Sequence, residues 1–219
     1  MLDIQKLIDA GEEYYEKVKE QASREASWKY CYEAFSSFRR KRLNDADKDY
    51  LALHLTAYLA SWGMYRGSSF LLQEKNYKVH IGVIDILFQD KYDELWNFCE
   101  KEYLVLLMEL RDEIKEYYRV QRIEKEKETT DTLVTKILLG TLGCVPAYDT
   151  NLCVSLKMFG IPTSFRKESV CEILELYEEY RNEFEKLRKK AIQIEGISDY
   201  PIMKVLDACL WKLADVPKE

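Results

Sequence analysis

"ESVCEILELYEEYRNEFEKLRKKAIQIE", residues 168–195, sets Val170, Ile173, Tyr177, Tyr180, Phe184, Leu187, Ala191 and Ile194 three and four residues apart in strict alternation. A strand repeats every two residues and an α-helix about every 3.6, so the spacing predicts one long amphipathic helix with a single seam. Leu174 and Leu176 widen the stripe beyond the narrow seam of a two-stranded coiled coil. The expected partner is therefore a helix of the same chain. Residues 91–122 supply one, because Tyr103, Leu107, Leu110, Ile114 and Tyr117 repeat the same spacing. An intermolecular coiled coil is the alternative.

The rest of the chain reads the same way. Eight glycines and four prolines in 219 residues are too few for the turns of a sandwich or barrel. The expectation is an all-α fold, a single compact multi-helix bundle over residues 1–219. Helices are expected at about 2–20 and 23–42, then a buried central helix at about 46–65, opened by Asn44 or Asp45 as cap. The apolar segment from Val79 to Phe88 reads as a further buried helix, and 123–131 as a charged hinge. Short helices follow at 132–142 and after Asp149, and Pro201 opens a last one at 201–214. Tyr50 to Tyr65 carries no formal charge, but it is shorter than the roughly 20 apolar residues of a membrane span. It also contains His54, Thr56, Ser61 and three tyrosines, so no membrane span is expected.

A net charge of −6 opposes nonspecific binding to phosphate backbones, which disfavours nucleic acid as a partner. Arg39-Arg40-Lys41-Arg42 is a local exception that reads as the solvated last turn of a helix. The six cysteines (31, 99, 144, 153, 171 and 209) never form CxxC, and the only histidines are His54 and His80. Neither a metal site nor a cofactor is expected. Scattered cysteines among apolar neighbours, and a start (MLDIQKLIDAGEE) with acids where a secretory leader is basic, point to a reduced, cytoplasmic protein. His54 on the most apolar helix reads as a core histidine. His80 reads as a residue near a helix start.

"YLASWGMYRGSSFLL", residues 58–72, interrupts its apolar run with Arg66-Gly67-Ser68-Ser69. One reading needs no function: Arg66 meets the carbonyls of a helix end, Gly67 stops the helix, and Ser68 or Ser69 caps the next. The other takes Arg66 with three more charges embedded in apolar sequence, Lys136 in "LVTKILLG", Asp149 in "CVPAYDTN" and Asp207 in "MKVLDACLW". Such residues are seldom buried unless paired. Converging, they make either internal ion pairs or a polar pocket. No GxSxG, phosphate loop or HExxH occurs, and no paired carboxylates stand out, so no catalytic residue is assigned.

"TKILLGTLGCVPAYDTNLCVSLKMFGI" with the later "YPIMKVLDACLW" resembles uncharacterised helical proteins of bacteria. Around residues 132–160 the chain also resembles helix-hairpin-helix DNA glycosylases, whose catalytic aspartate leads into a helix. That resemblance implies that Asp149 matches the aspartate and Lys136 the catalytic lysine. The phosphate-gripping hairpin and the four-cysteine cluster of that family are absent, so what carries over is an Asp149 turn facing a cleft.

Three functions compete. In the first, Arg66, Lys136, Ser68 and Ser69 hold a small anionic ligand, with Tyr148, Trp62 or Trp211 stacking on a ring and Asp149 and Asp207 completing the pocket. In the second, tyrosine-rich helices bind a protein partner or a second copy. The third is a nucleic-acid enzyme of the glycosylase type. The first two separate on whether Arg66 points into a cleft or onto a carboxylate.

Overall fold

The computed structural model describes residues 4–98 and 100–214. Among them no strand occurs, and every regular element is helical. The α-helices are α1 (Ile4–Val18), α2 (Ser27–Phe38), α3 (Asp45–Ser61), α4 (Phe70–Gln73), α5 (Ile81–Leu87) and α6 (Leu104–Gln121). They continue with α7 (Asp131–Thr141), α8 (Thr150–Met158), α9 (Lys167–Glu179), α10 (Arg181–Glu195) and α11 (Ile202–Leu213). No helix among the described residues is long and apolar enough to cross a membrane.

The long seam at 168–195 is two helices. Tyr180 leaves helical geometry (φ −119°, ψ 33°) and joins α9 to α10. No residue is inserted there, so the three-four spacing runs through the break unchanged. The two halves have different partners: α9 packs on α6 as expected, whereas α10 packs on α1 and α11. The expected helix over 91–122 forms only from Leu104. Asp90–Leu95 is a 3-10 turn, and Asn97 is left-handed (φ 58°), which asparagine tolerates better than most residues. Its backbone N–H donates to Leu142 O at 3.1 Å, which ties this loop to the end of α7. Cys99, where an interruption was expected, lies outside the described residues.

The most buried helix is also not the expected one. α3 begins as predicted, with Asn44 and Asp47 forming a reciprocal capping box. It buries Leu51, Ala52, Leu55, Tyr58 and Leu59 but leaves Leu53 half exposed. Absence of charge there reflects Tyr50, Ala57 and Ala60 at the surface. The enclosed helices are α7, buried at every residue from Leu133 to Thr141, and α11, buried from Ile202 to Leu210. α7 lies among α2, α3 and α6, and the Trp28 indole N–H of α2 donates to its Leu139 carbonyl at 2.8 Å. α11 lies among α1, α8 and α10. Gly11 lets α1 approach it: a Cβ there would stand 2.4 Å from Cys209 Sγ.

Two local expectations also change. The basic tetrad is not a helix end, because α2 stops at Phe38 and Arg40 is left-handed (φ 60°). Arg39 and Arg40 instead share Asp93, at 3.3 and 2.6 Å. α3 stops at Ser61, so Arg66 belongs to a loop rather than to a helix terminus. Ser68 is exposed, and Ser69 donates its hydroxyl back to Met64 O at 2.6 Å instead of capping α4.

Candidate functional site

Lys136 sits midway along the buried helix α7, where an uncompensated ammonium would be costly. Its Nζ lies 3.0 Å from Asp149 Oδ2. Asp149 caps α8, accepting the Leu152 N–H on Oδ1 at 3.1 Å. One carboxylate thus serves a helix start and a buried cation together.

The turn that presents Asp149 is pinned from both sides. Tyr148 N–H donates to Thr135 Oγ1, and Thr132 Oγ1 donates to Tyr148 O, both at 2.8 Å. From α11, Asp207 Oδ1 accepts the Ala147 N–H at 2.9 Å. Asp207 Oδ2 is 3.0 Å from Lys204 Nζ, and Lys204 donates to Tyr14 Oη at 3.0 Å. Burial works against the Lys204 ammonium, yet Tyr14 and Asp207 outweigh it and hold its pKa above the ordinary value. Burial pushes the Tyr14 phenol up to about 12.

In front of this turn opens a cleft of about 580 Å³. α7 and α8 contribute Thr132, Lys136, Asp149, Thr150 and Asn151. The loop after α3 contributes Trp62, Met64 and Arg66, and Arg24 and Trp211 close the far side. The indoles of Trp62 and Trp211 meet edge to face, 5.4 Å apart at 90°. Trp62 is fixed by its N–H to Ser27 Oγ at 3.1 Å. Arg24 holds its guanidinium 4.8 Å from the Trp62 centroid and 5.4 Å from that of Trp211, while Lys136 Nζ lies 4.9 Å from Trp62. Arg66 folds back across Gly63, its guanidinium 3.5 Å from where a Cβ would stand, and Gly63 has the left-handed φ of 76° that favours glycine. Arg66 has no carboxylate partner among the described residues.

Of the residues singled out in the sequence, Arg66, Lys136, Asp149 and Trp211 line the cleft together. Asp207 does not; it stands behind the turn, paired with Lys204. Tyr148 does not stack in it either, being buried with its hydroxyl 2.7 Å from Ser169 Oγ. Ser68 and Ser69 are not part of the lining. Sequence reasoning missed Arg24, which sits in an unremarkable charged loop. It also missed Lys204, whose spacing of three from Asp207 on one helix was a usable signal.

The histidines depart from expectation too. His54 is half-buried against Tyr50, with ring centroids 4.4 Å apart. His80 is the buried one, its Nε2 2.7 Å from Tyr65 Oη and its Nδ1 2.6 Å from Tyr118 Oη. Burial pushes its imidazole down to about 3. Among the described residues no cluster of histidine, cysteine and carboxylate side chains could hold a metal ion. A second cavity, about 700 Å³ beside the basic tetrad, sets Arg40, Lys41, Arg42 and Lys48 against Asp85, Asp90, Asp93 and Glu94. Its charges balance, whereas those of the tryptophan cleft do not.

No known protein family matches the chain, and no curated protein or solved structure is similar to it.

Proposed function

We propose that this chain is a binding module that takes a small anionic ligand in the cleft between α7, α8 and Trp211. The observation that carries the reading is a charge imbalance: Arg24, Arg66 and Lys136 line the cleft against the single carboxylate of Asp149, in a chain of net charge −6. A cation pointing into a cleft without a counter-ion is poised for an incoming anion. Trp62 and Trp211 report occupancy directly. Titration with phosphate or sulfate is expected to change the tryptophan emission of the native chain, and Arg66→Ala to abolish the change without loss of stability. An unchanged response in Arg66→Ala would remove the cleft from consideration. The five described cysteines are free thiols, which supports placing the module in the reducing cytoplasm.

A second reading, a nucleic-acid enzyme of the glycosylase type, draws on the 3.0 Å contact between Lys136 and Asp149, the two positions at which the sequence resembles that family. Borohydride trapping on DNA with an abasic site then yields a covalent adduct that Lys136→Gln lacks. No adduct from the native chain excludes lysine-based chemistry of this kind.

A further inference from the structure

We infer that the anion for which the cleft is built is the dianion of a small phosphate monoester rather than a carboxylate. This deepens the anion-binding reading and rests on it. Three features point to a doubly charged, several-oxygened group.

The first is the charge left over. Asp149 is spent internally, one oxygen on the Leu152 amide and the other on Lys136. Its negative charge is therefore offset before a ligand arrives, and Arg24 and Arg66 remain to be matched. Glu25, outside the lining, stands 3.6 Å from Arg24 and takes part of that guanidinium's charge. Arg66 has no such neighbour among the described residues.

The second is the kind of cation. Both remaining groups are arginines, whose planar forks present paired N–H donors that suit phosphate oxygens. A monocarboxylate offers two oxygens and satisfies one fork, whereas a phosphate monoester offers three, enough for one fork and a further donor.

The third is how the cations are held. Arg24 is positioned by the faces of Trp62 and Trp211, and Arg66 by the bare backbone of Gly63. Ring quadrupoles and peptide surface fix a guanidinium without neutralising it, so the charge of Arg66 stays available, and that of Arg24 as far as Glu25 leaves it. Thr150, at the first turn of α8, lies in the same wall.

The test is calorimetric titration of the full chain with phenyl phosphate and with benzoate, which share a ring and differ in the anion. It is run at about pH 5 and about pH 7.5, on either side of the phosphate's second ionisation near 6. No histidine lines the cleft, so the ligand's own ionisation is the step the pH change addresses. Phenyl phosphate is expected to bind on the order of tenfold more tightly than benzoate at the higher pH, the worth of one further charge-assisted hydrogen bond. That advantage should collapse at the lower pH and in Arg66→Ala. Equal binding of the two ligands at the higher pH overturns the phosphate inference and leaves a general anion site. Phosphate binding that survives Arg66→Ala also overturns it, by placing the anion elsewhere. Binding of neither ligand removes both this inference and the reading beneath it.

Discussion

His80 shows how much a single side chain is asked to do in the core. Enclosed between Tyr65 and Tyr118, its neutral ring satisfies one hydroxyl as donor and the other as acceptor. A protonated ring could only donate. Its pKa in the folded chain is about 3 against 6.5 ordinarily, so the unfolded chain takes up a proton first as the pH falls. The stability that neutral His80 contributes is therefore complete above 6.5 and is lost from there down towards 3. Urea unfolding of the native chain and of His80→Gln, followed from pH 7 to below 6, isolates this group from the carboxylates. The native chain should lose about 1.4 kcal/mol per pH unit more than the variant once the pH is well below the unfolded value. Parallel curves would show that the imidazole is not held neutral. The sequence gives little sign of this role, because His80 lies in a plain helix start and both tyrosines are distant in the chain. Arg66, Lys136, Asp149 and Asp207 were conspicuous for the opposite reason: a charge in an apolar stretch must find a partner or a ligand. What the sequence could not apportion was which of them did which, since that depends on Lys204 claiming Asp207 within α11 and on Arg24 arriving from the loop before α2.

Between elements, the turn from α7 to α8 is the part most dependent on distant support. Asp207 reaches it from α11, so two elements far apart in sequence fix where Asp149 stands. Asp207→Ala leaves Lys204 buried without its carboxylate and the Ala147 amide without its acceptor. A loss of about 3–5 kcal/mol of unfolding free energy is expected, as for other broken buried pairs. Arg66→Ala should fall within about 0.5 kcal/mol of the native chain, because the side chain is exposed and has no carboxylate partner among the described residues. Denaturant midpoints of the two variants side by side check the contrast. Similar losses would mean that Arg66 is structural after all. The helices themselves were legible wherever three-four spacing carried them, in α6, α9 and α10 above all. Their breaks were not. Tyr180 changes direction without changing the count of residues, and Asn97 does so with a backbone conformation that leaves no periodic trace. Burial was misjudged where lack of charge stood in for it: α3 is uncharged along much of its length yet half exposed, while α7 and α11 bury lysines because each meets an aspartate.

At the scale of the whole molecule, an acidic chain keeps a cleft in which cations outnumber carboxylates, walled by two tryptophans. The all-α class followed from composition and spacing alone. The cleft needed tertiary structure, because its lining comes from the loop before α2, the loop after α3, α7, α8 and α11. A functional role for it turns on one question, whether Arg66 holds a ligand. The most direct measurement is native mass spectrometry of the chain and of Arg66→Ala, both isolated gently from the same cells. The native chain should carry an additional small-molecule mass that is displaced by phosphate and missing from the variant. Both proteins bare, or both carrying the same added mass, would contradict an Arg66-dependent anion site.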